Sequence, residues 1–236
     1  MPCRQKRHFI HAGLDSSKDL FHGLRMINKA APHRIIKECR PLMLLAAFFL
    51  ISVFAAPNRV DAHPHVFVDC SLTFEFDESG LKGIRQKWWF DKMFAAMILG
   101  DYDKDRNNII SEEEAKEIES GAFINLRNFN YFTSISVDGN RVSSITATEF
   151  KPLVEDSTLV YTFFVPLHLA ADSAHTVKVA VYDESFYTAI QMDPQNKISS
   201  TPSNMQVNLT LEQEPEMAYF YGQMVPDAAV LTIVAR

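Results

Sequence analysis

From Val66 to Phe76 the chain alternates: Val66, Val68, Cys70, Leu72, Phe74 and Phe76 are apolar, His65, Asp69, Ser71, Thr73 and Glu75 stand between them, and Phe67 is the exception. A period of two predicts a half-buried strand, because successive side chains leave a strand on opposite faces. "DESG" turns the chain and Leu81 to Phe90 continues in the same way, which predicts a hairpin. Further strands are predicted at 131–137, 141–150, 158–167, 175–183, 186–192, 205–211 and 229–235, with Asp138-Gly139 as the turn between the first two. "NKISSTPSN" (196–204) reads as a loop.

One stretch has a different period. Phe90, Met93, Phe94, Met97 and Ile98 recur at helical spacing, and Ala115, Ile118, Ala122 and Leu126 do so again after a polar interval. Many short strands interrupted once by two helices predict a mainly β protein. Its expected architecture is an antiparallel β-sandwich carrying an EF-hand-like helix-loop-helix insert at about 91–128, α+β overall.

Upstream, Pro41 to Ala56 is a continuous apolar run preceded by Arg34, Lys37 and Arg40. It is short for a membrane span and is flanked as a secretory signal is, and Val60 and Ala62 supply the small residues a signal peptidase reads. The expectation is a signal peptide over 1–62, with translation starting at Met1 or Met26, and one periplasmic domain over 63–236. An uncleaved N-terminal anchor is the alternative.

Cleavage after Ala62 changes the charge. Ten of the 23 basic and four of the 29 acidic residues precede His63, leaving 13 and 25 and a formal charge of −12. Such a surface disfavours nucleic acid and favours cations. Of the three cysteines only Cys70 remains, so no intramolecular disulfide is available.

Two stretches carry candidate chemistry. "DKDRNNIISEEE", read from Asp103, fits the twelve-residue calcium loop of an EF-hand: Asp103, Asp105 and Asn107 at positions 1, 3 and 5, the Ile109 carbonyl at 7, Ser111 at 9 and Glu114 at 12. Ile110 takes the apolar position 8. Asn108 replaces the usual glycine at position 6, where Asn is the substitute that best tolerates left-handed backbone. Gly100 is placed to break the entering helix. The competing explanation is a capping box, Ser111-x-x-Glu114, that merely starts the second helix. With no second EF-hand, affinity should be about 10⁻⁴ to 10⁻³ M and the role structural.

The other stretch is His63-Pro64-His65. After cleavage His63 offers an α-amino group and an imidazole, and His65 projects from the same strand face about 7 Å away. Pro64 has no amide N–H, so a square-planar site built on deprotonated amides is ruled out. Nickel, cobalt, zinc or copper suits these nitrogens, with Asp69 as a further carboxylate ligand. His168 and His175, the remaining histidines after Ala62, read as surface residues. "KWWF" (87–90) reads as core or hinge packing, with a stacking platform for sugars as the alternative. "YDESFY" (182–187) shows no geometry for catalysis. No nucleophilic triad, zincin or phosphate-loop pattern is present, so an enzyme is not expected.

The order of "AHPHVFVD", "KWWFDKMF", "DKDRNNIISEEE" and "VYDESFYTAI" resembles the bacterial periplasmic family known as domain of unknown function 1007. The resemblance implies an accessory of a nickel/cobalt-type membrane permease or an ABC-type transporter, with no catalytic mechanism. It places a transition metal at His63 and His65 and calcium at Asp103, Asp105, Asn107 and Glu114. Two other functions compete: a copper enzyme whose N-terminal histidine joins a distant histidine, and a calcium-stabilised carbohydrate-binding module that exposes Trp88 or Trp89.

Overall fold

A computed structural model describes residues 64–170, 172–200 and 203–236, together with Leu45 and Phe48 in helical conformation. The predicted signal peptide, those two residues apart, and His63 lie outside the described residues. By its contacts the chain divides into Met1–Val60 and Asp61–Arg236, and the second unit holds the elements named here.

Among the described residues eleven strands form two sheets. β1 (Val66–Asp77) and β2 (Gly80–Phe90) make the predicted hairpin, closed by Asp77, whose Oδ1 accepts from Ser79 N and Oγ. Two helices follow, α1 (Lys92–Tyr102) and α2 (Glu112–Gly121), then a kinked 3₁₀ segment (Phe123–Phe132). Next come β3 (Thr133–Val137), β4 (Asn140–Arg141), β5 (Thr148–Glu155), β6 (Thr158–Ala170) and β7 (His175–Val181). β8 (Thr188–Met192), β9 (Lys197–Ile198), β10 (Met205–Gln213) and β11 (Asp227–Ala235) complete the chain. The first sheet runs β5-β6-β2-β1-β8 with β9 also on β1, and the second runs β10-β11-β7-β3-β4.

The mainly β expectation holds, with one correction to pairing. β1 meets β8 and β9 in parallel, Val66 opposite Thr188 and Thr73 opposite Lys197, so the first sheet is mixed. Alternation reveals which face of a strand is buried but carries no information about the direction of its neighbour. Here the chain leaves β7 in one sheet, turns through 182–187 and enters the other beside β1.

The core lies between the layers. Val68, Cys70, Leu72 and Phe74 of β1 are at most 2% exposed, and they share one cluster with Val177, Val179, Leu231 and Ile233 of the second sheet. Trp88 is buried as expected, stacked on Phe132 and edge-on to Phe163. Its Nε1 donates to Gln86 Oε1, and Gln86 Nε2 donates to Thr133 Oγ1, so this buried amide is satisfied on both sides. Trp89 points the other way, onto the outer face of the first sheet.

Two predicted boundaries move for identifiable reasons. The strand predicted over 141–150 is really a crossing: Asn140–Arg141 pairs with β3 in one sheet and Thr148 pairs with β6 in the other. β5 runs on to Glu155 through Pro152, which an edge strand tolerates. The insert extends to Phe132 because Asn130, Tyr131 and Phe132 adopt positive φ, and β3 starts only after them. On α1, Ala95 and Ile98 are buried while Met93 and Met97 are exposed, so the apolar stripe is wider than the buried one. Among the described residues no helix is long and apolar enough to cross a membrane.

Candidate functional site

The loop between α1 and α2 is fixed from both ends. α1 begins at Asp91, whose Oδ1 accepts the N–H of Met93 at 2.8 Å and of Phe94 at 3.0 Å. It runs straight through Gly100 and ends at Tyr102, so the expected break does not occur. The backbone N–H of Asp103 still donates to the Leu99 carbonyl, at 2.9 Å, which delivers its side chain to the start of the loop. α2 begins at Ser111 with a full capping box: Glu114 N donates to Ser111 Oγ at 3.3 Å, and Ser111 N donates back to Glu114 Oε2 at 2.9 Å. The capping-box explanation is therefore correct as far as it goes.

It does not account for the remaining residues. Ligand oxygens of Asp103, Asp105 and Glu114 all lie within 4.8 Å of one another, with Asp103 and Glu114 buried and Asp105 exposed. Among the described residues this is the one group of three or more acidic, histidine or cysteine side chains so gathered. Asp103 Oδ2 accepts the N–H of Asn108 at 2.9 Å, and Asp103 Oδ1 accepts that of Asn107 at 3.2 Å. Asn107 Oδ1 accepts from Ile109 N at 2.6 Å and its Nδ2 donates to Asp105 Oδ2 at 2.8 Å. Asn108 has φ 59°, the left-handed turn that a glycine would supply, so this departure is accommodated. Arg106 also has φ 58°, which the spacing gave no reason to expect. Ile110 packs on the core from position 8, while the Ile109 side chain is exposed.

Glu114 joins the two ends. Its Oε1 accepts the N–H of Lys104, ten residues back, at 2.8 Å, while Oε2 takes both donors of Ser111. The Ser111 and Lys104 N–H groups, with the Ser111 hydroxyl, hold this carboxyl below its ordinary value against the opposing effect of burial. A carboxylate kept charged beside two others is electrostatically costly without a cation. The three gathered carboxylates are hard oxygen donors of the kind Ca²⁺ takes, and the loop spacing assigns the Asn107 amide oxygen and the Ile109 carbonyl to the same set.

Beneath the loop the helices interlock through a contact that spacing could not reveal. Gly121, the last residue of α2, leaves room for Tyr102: a Cβ there would lie 2.4 Å from the phenol oxygen. "ESG" reads in sequence as a helix ending, with no hint that the glycine makes space for a ring.

The histidines are placed differently. His65 is exposed at the entry to β1, its N–H donating to the Tyr187 carbonyl at 2.8 Å and its ring 4.8 Å from that of Tyr187. Asp69 is exposed on the same strand, four residues on and so about 13 Å away, and is not brought to His65. Of the other two histidines, His168 is exposed, as expected, and His175 is half-buried. His168 lies at the Gly80 end of β2, where Leu81 pairs with Leu169, whereas β1 enters at the opposite end, where Val68 pairs with Phe90. His175 starts β7 and is held by Asp138 Oδ2 at 2.8 Å and Ser173 Oγ at 3.0 Å. His168 is thus at the far end of the sheet from His65. "YDESFY" is also structural: Asp183 is buried and accepts from Ser185 N, Ser185 Oγ and Thr188 N, closing the turn into β8.

The model of the family described as "Protein of unknown function (DUF1007)" matches residues 47–226. An uncharacterised 15.5 kDa protein from the trpE 3′ region of Spirochaeta aurantia is 27% identical over 136 residues, 57% of this chain and 97% of its own length. An uncharacterised protein of Haemophilus influenzae is 25% identical over 132 residues, 55% of this chain and 62% of its own.

Proposed function

Since the chain belongs to the DUF1007 family, whose function is unknown, we propose from its own residues that it is an exported, calcium-stabilised β-sandwich that handles a transition metal as the accessory of a membrane permease or ABC-type transporter. The observation that carries the calcium part is the convergence of Asp103, Asp105 and Glu114 within 4.8 Å on a twelve-residue loop. Calcium neutralises these carboxylates and ties α1 to α2, a structural role. Thermal melting with and without millimolar calcium tests it: the ion should raise the melting temperature, because a ligand that binds only the folded state stabilises it by mass action. No shift in the wild-type protein leaves Ser111 and Glu114 with capping alone.

The transition-metal part rests on His63 and His65. His65 sits exposed at the entry of β1, so its imidazole is accessible to an ion held by the amine and imidazole of His63 once the signal peptide is removed. Asp69 is too far along the strand to share that ion with His65. Nickel, cobalt, zinc and copper all accept such nitrogen donors. Binding of these ions by protein that starts at His63, and its loss when one residue is added in front, is the corresponding test.

A further inference from the structure

The outer face of the first sheet carries a feature used by neither metal site. β1, β2 and β8 lie side by side there, and their register places Trp89 directly opposite Asp69 and Asp69 directly opposite Gln191. All three side chains are on the outer face, Trp89 half-buried and the other two exposed. They form one row across three strands, about 10 Å from end to end at the usual strand spacing. The row is the shared floor of two adjoining clefts of about 570 and 310 Å³, the larger walled by Phe186 and Tyr219 and the smaller by Pro194. Volumes of this order are those of ligand sites.

The indole is held in place. Lys87, two residues earlier on β2, puts its ammonium 4.7 Å from the Trp89 ring centroid and is anchored at 2.6 Å by Glu155. An aromatic plate on a paired strand, steadied by a cation, loses little freedom when something stacks on it.

The chemistry of the row selects among occupants. A peptide adding by its main chain needs a free sheet edge; of the three strands only β8 ends the sheet, so such a peptide would lie beside the row and clear of Trp89 and Asp69, since β1 and β2 are paired on both sides. An apolar protein surface would bury the Asp69 carboxylate and the Gln191 amide without partners, at a cost of kilocalories each. Phosphate-bearing ligands meet Asp69, Asp91 and Asp156, which line the larger cleft, with Lys92 the one base among them. A polyhydroxylated ring meets none of these objections. Its C–H face stacks on an indole, and its hydroxyls donate to a carboxylate and exchange both kinds of hydrogen bond with an amide.

We infer that the Trp89–Asp69–Gln191 row binds a neutral, β-linked pyranoside chain with equatorial hydroxyls. A row running straight across three paired strands suits an extended oligosaccharide over a coiled one. The site is independent of the calcium and histidine proposals.

Cellohexaose, xylohexaose and chitohexaose, with maltohexaose as the coiled control, are titrated into the full-length protein by calorimetry and by tryptophan fluorescence. Trp88 is buried, so a ligand-induced emission change reports Trp89. At least one β-linked probe should bind saturably, and Trp89→Ala and Asp69→Ala should each weaken it about tenfold or more, the loss of roughly 1.4 kcal/mol. Both variants should melt cooperatively within a few degrees of the wild type, about the shift of a surface substitution, which shows that they fold whatever the loop binds. The inference is overturned if none of the three probes binds up to about 10 mM. It is equally overturned if binding is indifferent to both substitutions, or if Trp89→Ala instead abolishes a concentration-dependent dimer, which would assign the face to a second copy of the chain.

Discussion

Asp91 Oδ2 accepts the backbone N–H of Phe67 at 2.8 Å, so the carboxylate that starts α1 also fastens the first turn of chain in β1. Burial works against the charge on Asp91, but the N–H groups of Phe67, Phe94 and Met93 together hold its carboxyl below the ordinary value. Asp91→Ala should destabilise the protein by about 1 kcal/mol as a lost helix cap. It should also accelerate amide exchange at Phe67 and at Met93 together. Hydrogen exchange read by NMR checks this; exchange rising at Met93 alone would show that the link to β1 contributes nothing.

Glu114 gives a prediction in pH. Its folded-state value lies below the ordinary 4.5, so the stability it contributes is complete above that pH and is lost as pH falls through the depressed value. Calcium binding should weaken over the same acid window. Glu114→Gln keeps a side chain able to serve in a capping box but removes the charge. Thermal melts from about pH 6 to pH 3 should therefore show a helix-competent variant with no calcium shift and a flatter acid limb.

Overpacking at Gly121 is measurable. A methyl group 2.4 Å from the Tyr102 hydroxyl oxygen makes the end of that ring move aside, so Gly121→Ala should give up most of the roughly 1 kcal/mol that the better helix propensity of alanine would otherwise add. Removing the hydroxyl with Tyr102→Phe should recover part of that loss. Urea denaturation of the two single variants and the double variant gives the coupling, and simple additivity would rule the contact out.

Metal affinity at the processed terminus should fall steeply from about pH 8 to pH 6. The α-amino group and the imidazoles must lose protons before they coordinate. Calorimetry with nickel, cobalt, zinc and copper checks this on protein beginning at His63, on a form extended by one residue, and on His65→Ala. Equal affinity in the extended form would remove the amine from the ligand set.

Cys70 should behave as a hydrocarbon. It is fully buried, and desolvation pushes its thiol far above the ordinary value, overriding the Trp88 contact that lowers it. A chromogenic disulfide reagent should find no reactive Cys70 in the folded protein and a full equivalent in denaturant. Rapid labelling of the native state would mean that β1 opens locally.

Much of the fold is legible in the residues because alternation survives wherever one face of a strand is wet. Val66 to Phe76 shows it most fully, and its predicted buried set is the observed one. Legibility fails where the chain changes layer. Between Arg141 and Thr148 nothing in the side-chain pattern marks the crossing, and the parallel approach of β8 leaves no trace in composition. Of the candidate site, Asp103, Asp105 and Glu114 were readable because an oxygen cage needs fixed spacing. Tyr102 against Gly121 was not, since that contact depends on how two helices meet. Trp88 and Trp89 look alike in sequence and differ only through the parity of one strand, which sends one ring to the core and the other to the surface.

The parallel pairing of Val66–Cys70 with Thr188–Met192 bears on when this protein can fold. The two partners are more than a hundred residues apart, so the strand synthesised near the start of the sandwich cannot complete its sheet until most of the chain exists. Contacts of such sequence separation slow folding, because a large loop must close before any of them forms. The export proposed above, in which a chain crosses a membrane in an extended state, would gain from this delay. The topology keeps its leading strand open until the last third has followed.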